Sequence, residues 1–72
     1  MLVKRSLALS GHRTSVALEP EFWAALGAIA TARGQTLAGL VASVDASRAA
    51  DRPLASALRV LALAEASQRA SS

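Results

Sequence analysis

The hydrophobic period of this chain changes at residue 19, and that change most constrains its fold. Residues 13–18 have β-branched or large apolar side chains at every second position and charged or small ones between them, as a half-buried β-strand does. After Glu19 the apolar residues instead recur at the three- and four-residue spacing of an α-helix. The pattern therefore predicts a mainly α-helical chain with a short strand near its N-terminus.

Alternation assigns the strand residues to two faces, because successive side chains of a strand point to opposite sides. Thr14, Val16 and Leu18 should face inward. The outward set should be Arg13, Ser15 and Ala17.

Charge is concentrated at the same end of the chain. Lys4, Arg5 and Arg13 lie within the first 18 residues, which contain no Asp or Glu, and the formal net charge is +3. The remainder has equal numbers of basic and acidic residues, so the whole excess belongs to the N-terminal part. A basic strand ahead of helices suggests a surface that binds nucleic acid, although a solvated basic tail has the same composition.

Size and composition favour an oligomer. A chain of 72 residues buries a modest fraction of its surface, and this one has no cysteine for disulfides. Hydrophobic residues nevertheless make up 53% of it. We therefore expect a homodimer that shares apolar surface between protomers, and a tetramer is left open.

The pattern divides the chain into a single domain of five parts. Residues 1–11 form either a basic arm or an extra strand, with Ser10 and Gly11 as a turn signal, and residues 12–18 form the strand. Helices are expected over 20–33, 36–47 and 53–68. Pro20 suits a first helical turn, Gly34 a C-cap and Thr36 an N-cap.

The first helix carries a clear apolar stripe. Phe22, Leu26, Ile29 and Ala30 share one face, and Trp23 should cover its edge. Two aromatic residues in the whole chain leave no stacking platform for single-stranded nucleic acid.

Other classes of protein find little support. One His, no Cys or Tyr and five scattered carboxylates argue against an enzyme or a metal centre, and no cofactor is expected. The longest uncharged runs, 22–32 and 34–44, are far shorter than the roughly 20 residues that span a bilayer. The N-terminus lacks the pattern of a secretion signal, so we expect a cytoplasmic protein.

Three stretches together carry a family resemblance. They are residues 11–23 (GHRTSVALEPEFW), the run from Leu26 to Val41 with its Arg33-Gly34 pair, and residues 54–60 (LASALRV). In this combination they resemble the ribbon-helix-helix domain of short bacterial DNA-binding proteins.

The resemblance implies a fold and an activity. It implies an intertwined homodimer in which one strand from each chain forms an antiparallel ribbon over four helices, here with an additional C-terminal helix. That ribbon would enter the major groove of double-stranded DNA, as in a transcriptional regulator. Carried onto this chain, the DNA-binding residues would be Arg13, Ser15 and Ala17 for bases, and Lys4, Arg5 and the helix start at Thr36 for phosphates.

A second interpretation gives the helices the main role. In a protein–protein interaction module, such as an adaptor or an antitoxin, the apolar helix faces would bind a partner protein. The C-terminal helix suits this role because Leu54, Leu58 and Leu61 occupy one face and Val60 and Leu63 an adjacent one.

Overall fold

The computed structural model describes residues 1–71 of the chain. It contains two strands and three helices: β1 (Val3–Leu9), β2 (His12–Leu18), α1 (Pro20–Ala32), α2 (Leu37–Ser47) and α3 (Leu54–Ser71). The predicted fold class, mainly α-helical with a short N-terminal β-ribbon and an additional C-terminal helix, is confirmed, and the ribbon is a hairpin within one chain.

The first strand pairs with the second within one chain. Of the two alternatives for residues 1–11, the structure therefore has the extra strand. The register joins Leu9 to His12 at the turn, Ser6 to Ser15 in the middle and Val3 to Leu18 at the open end.

Ser10 and Gly11 form the two-residue loop of this hairpin. Gly11 has φ +82°, whereas no residue other than glycine has a positive φ in the described chain. A positive φ at only the second central position matches a type II turn, which favours glycine there.

Local signals define the helix ends. At the end of α1, Gly34 has φ +67°, and the amides of Gly34 and Gln35 donate to the carbonyls of Thr31 and Ala30 at 3.1 and 2.8 Å. This double bond pattern is a Schellman motif. At the start of α2, the Thr36 hydroxyl accepts a hydrogen bond from the Gly39 amide at 3.0 Å.

The core lies between the hairpin and the three helices. Its fully buried side chains come from the second strand and from every helix: Leu18, Leu26, Leu40, Val41 and Leu58. The hairpin adds three further side chains that are buried but not completely, Leu7, Leu9 and Val16. One face of the ribbon is therefore committed to packing.

The prediction for the aromatic residues of α1 was wrong. Trp23, expected at the edge of the stripe, is buried, whereas Phe22 is only partly buried. The reason is a tertiary contact: the Trp23 indole N–H donates to the Val3 carbonyl at 2.7 Å and ties α1 to the start of β1.

Two ion pairs join distant parts of the chain. Arg33, after α1, pairs with Glu65 of α3. Arg59 of α3 pairs with Glu19 at 3.0 Å. A hydrogen bond from its own backbone, and then one from Arg59, lower the pKa of Glu19 below its ordinary value. Both contacts hold α3 against the rest of the fold.

Candidate nucleic-acid interface

The outer face of the hairpin is a polar surface made by both strands. The register places Lys4 opposite Ala17, Ser6 opposite Ser15, and Ala8 opposite Arg13. These six residues alternate with the residues that contribute to the core, so they share the face that points away from the helices. We call this surface the outer ribbon face.

The outer ribbon face is small, exposed and cationic. Five of its residues are exposed and Ala17 is partly buried. Its charged residues, Lys4 and Arg13, form no ion pair with a carboxylate anywhere in residues 1–71. Beyond the hairpin, by contrast, Arg33, Arg48 and Arg59 each pair with an acidic side chain. The positive potential of the outer ribbon face is therefore left uncompensated.

Three residues predicted to read bases lie together on this face. Only His12 separates Arg13 from the turn, whereas Ser15 lies at the middle of the strand and Ala17 lies near the open end of the hairpin. Along a strand such alternate residues are spaced by about 7 Å, which is close to the rise of two base pairs. Lys4, predicted to bind phosphate, lies across from Ala17 on the same face.

Arg5 is placed differently from the other predicted contacts. It pairs with Val16, whose side chain is in the core, so its side chain leaves the strand on the helix side. Its guanidinium lies 5.2 Å from the centre of the Trp23 ring. This distance suits a cation–π contact that supports the fold.

Thr36 also lies apart from the outer ribbon face. It caps α2, and the first helical bond of α2 runs from the Leu40 amide to the Thr36 carbonyl at 3.0 Å. The amides of Leu37 and Ala38 precede that bond and have no carbonyl partner within the helix. They form a potential anion site at the helix start.

The hairpin tip meets α2 at the other end of that helix. The Nε2 atom of His12 lies 3.9 Å from Oδ2 of Asp45, and the other carboxylate oxygen, Oδ1, accepts a hydrogen bond from Arg48 Nε at 2.9 Å. Asp45 is about 13 Å along the helix axis from Thr36, at about 1.5 Å per residue. This approach places the hairpin tip beside the C-terminal half of α2.

Sequence reasoning did not assign Ser6 and Ala8 to the site. The available signal was the alternation of residues 6–9, which has the same period as β2. Which face these residues occupy depends on their pairing with β2, and that pairing was left open.

A second surface feature lies between α1 and α3. It is an open apolar groove of about 350 Å³. Phe22 and Ala25 line one side, and Val60 and Leu63, which are 49% and 65% exposed, line the other. This is the second apolar face predicted for α3.

No helix among the described residues is long and apolar enough to cross a bilayer. Residues 1–71 also hold no cluster of three or more His, Asp or Glu side chains arranged to bind a metal ion.

Comparison with known proteins gives a match to a protein family. The sequence model described as the ribbon-helix-helix domain matches residues 2–66, which includes both strands and most of α3. No curated protein matches the chain, and no solved structure does.

Proposed function

The chain belongs to the ribbon-helix-helix family, and on that premise we propose that it binds double-stranded DNA sequence-specifically through the outer ribbon face. Members of this family generally bind DNA as dimers, are not enzymes, and act as transcriptional regulators or antitoxins. The observation that best supports the proposal is a ribbon face whose charged residues, Lys4 and Arg13, are cationic and unpaired within the described chain.

The proposed dimer uses the open edge of β2. A two-residue hairpin closes with a hydrogen-bonded pair, here Leu9 and His12, and bonding alternates from there. The backbone groups of Arg13, Ser15 and Ala17 consequently point away from β1, toward the open edge. They are available to pair with β2 of a second copy.

A two-fold axis through Ser15 makes this edge self-complementary. With the two β2 strands antiparallel, Ser15 lies opposite its own copy and Arg13 lies opposite Ala17 of the other chain. The small Ala17 side chain leaves room for the long guanidinium beside it. The pairing also removes a free strand edge, which would otherwise promote aggregation.

The side chains on these central strands suit base recognition. Arg13 has the planar donor pair that binds guanine O6 and N7, and the Ser15 hydroxyl donates to or accepts from base edges. Ala17 offers a methyl group to thymine. Two copies of this set would recognise a short pseudo-palindromic site.

The remaining predicted contacts are proposed to bind phosphates. Lys4 provides a mobile point charge on the outer ribbon face, and the start of α2 at Thr36 provides backbone amides. Arg5 lies next to Trp23, so we assign it a smaller part in DNA binding than Lys4. As a bacterial transcriptional regulator the protein would act in the cytoplasm.

The experiment is a binding titration with a mixed-sequence duplex across a salt series, with the molecular mass measured under the same conditions. We expect a dimer whose affinity falls steeply as salt rises. Arg13→Ala should weaken binding, whereas Arg52→Ala, which removes the same charge from an exposed site outside the ribbon, should not. Equal losses for the two variants, or a folded dimer that ignores DNA at low salt, would contradict the proposal.

One observation favours a second candidate function, the protein–protein interaction module. The α1–α3 groove exposes Val60 and Leu63, two of the large apolar side chains that the fold leaves at its surface. In this case partner capture would survive neutralising Lys4 and Arg13 and would be lost in Leu63→Asp. A folded Leu63→Asp protein that retains full capture would exclude the groove as the binding surface.

A further inference from the structure

The first strand gives the outer ribbon face a second row of side chains. This row consists of Lys4, Ser6 and Ala8, all exposed. The Ser6 hydroxyl makes no hydrogen bond to another residue in the described part of the chain. A free hydroxyl in the middle of a cationic strand face is available to a ligand.

Strand spacing determines where this row would lie on DNA. With β2 paired to β2 of a second copy, the sheet has four strands, and β1 is the outer strand on each side. Neighbouring strands are about 4.8 Å apart, so each β2 lies about 2.4 Å from the two-fold axis and each β1 about 7 Å from it.

The major groove is narrower than this sheet. Its width is about 12 Å, which places each sugar–phosphate wall about 6 Å from the centre. Two central strands fit between the walls, whereas the outer strands lie over them. The strand twist, which is right-handed along each chain, bends the outer strands along the walls.

We propose that β1 of each protomer is a backbone clamp, in which the Ser6 hydroxyl and the Lys4 ammonium group bind phosphodiester oxygens on either side of the groove. This inference rests on the proposed function. The ligand is the negatively charged phosphodiester. Serine donates one hydrogen bond to it, lysine donates a charge-assisted one, and the small Ala8 side chain lets the strand approach the wall.

The clamp gives Ser6 and Ser15 different roles although they face each other across the hairpin. Ser15 lies over the base pairs and contributes to sequence preference. Ser6 lies over the backbone and contributes affinity that is the same for every sequence. The two serines therefore form a matched pair of substitutions, identical in chemistry and separated by one strand.

The test compares Ser6→Ala with Ser15→Ala on a preferred duplex and on duplexes that carry single base-pair changes. We expect Ser6→Ala to weaken binding to all of them by a common factor, about tenfold for each lost hydrogen bond to a charged group and therefore about a hundredfold for the two in the dimer. Ser15→Ala should instead change the order of preference among them. As a control, thermal melts of Ser6→Ala and Ser15→Ala should show that both variants are folded.

A second measurement locates the contact. Single phosphates can be replaced with neutral methylphosphonates. At one position per half-site this replacement should lower the affinity of wild type but should not lower the affinity of Ser6→Ala any further. In addition, Ser6→Lys should steepen the plot of log affinity against log salt by about 0.9 per new phosphate contact, or about 1.8 for the dimer, without changing base preference.

Two results would overturn the clamp while leaving DNA binding intact. Ser6→Ala could reorder base preference as Ser15→Ala does, which would place β1 inside the groove, or it could leave affinity unchanged on every duplex. Failure of the proposed function looks different, because wild type itself would then show no salt-sensitive binding to double-stranded DNA.

Discussion

The two faces of the hairpin have the same backbone but different relations to the rest of the molecule. The inner face places Leu7, Leu9, Val16 and Leu18 in the core, each 8% exposed or less. The outer face presents small polar and cationic side chains to solvent. Because side chains alternate along a strand, each seven-residue strand serves both faces. Stability and binding should therefore be separable at neighbouring residues.

The largest separation is expected between Leu18 and Ser15. Leu18 is fully buried, so Leu18→Ala should lower the free energy of unfolding by about 2–5 kcal/mol. Ser15→Ala, on the outer ribbon face, should change it by less than about 0.5 kcal/mol. Denaturant unfolding at one fixed protein concentration measures both, since the stability of a dimer depends on concentration. Similar losses for the two variants would remove the distinction between the faces.

Lys4 tests the outer face through salt dependence. Lys4→Ala should reduce the slope of log affinity against log salt by about 0.9 per lost phosphate contact, or about 1.8 for a dimer. The melting temperature should hardly change, since Lys4 is exposed and forms no ion pair in the described chain. Arg52→Ala is the control that removes an equal charge. If Arg52→Ala changed the salt slope as much as Lys4→Ala does, only the net charge of the protein would matter.

Arg5 sharpens the comparison, because it is adjacent to Lys4 in sequence and lies on the opposite face. Arg5→Ala should lower stability by about 0.5–1 kcal/mol through loss of the contact with Trp23. Its effect on the salt slope should be smaller than that of Lys4→Ala. Thermal melts and the same binding titration give both values; a full slope change with no loss of stability would assign Arg5 to phosphate binding instead.

The smallest expected effect is on the pH dependence of stability, and it involves Glu19, which precedes α1 and pairs with Arg59 of α3. Hydrogen bonds lower the pKa of Glu19 in the folded protein, so its ionised form stabilises the fold above the ordinary pKa of an unfolded glutamate, about 4.3. This contribution is lost as the pH falls through the lowered folded-state pKa. Glu19→Gln should therefore show a slightly flatter decline of stability at acidic pH, measured by melts between pH 6 and pH 2. Parallel curves for wild type and variant would show that ionisation of Glu19, with its hydrogen bonds from the backbone and from Arg59, contributes nothing to stability.

Local chemistry explains what the sequence predicted. The Schellman motif at Gly34 and the cap at Thr36 depend on residues within a few positions of each other, and the inward side of β2 follows from its alternation. Together these signals predicted a strand followed by three helices.

Strand pairing and tertiary contacts determine the features that the sequence did not predict. The strand formed by residues 3–9 exists because it pairs with β2, and that partner is not encoded in its own pattern. Phe22 and Trp23 are adjacent on α1, so either fits the apolar stripe; the choice depends on the Val3 carbonyl. The same register places Arg5 on the helix side and adds Ser6 to the outer ribbon face.

The most direct test of sequence reading by the outer ribbon face is selection of binding sites from a random double-stranded DNA pool, carried out in parallel with wild type and Arg13→Ala. We predict that wild type enriches a pseudo-palindromic site with a guanine in each half. Arg13→Ala should lose the preference for that guanine while keeping its fold. If wild type enriches no sequence, or if both proteins enrich the same site, the outer ribbon face does not read DNA through Arg13.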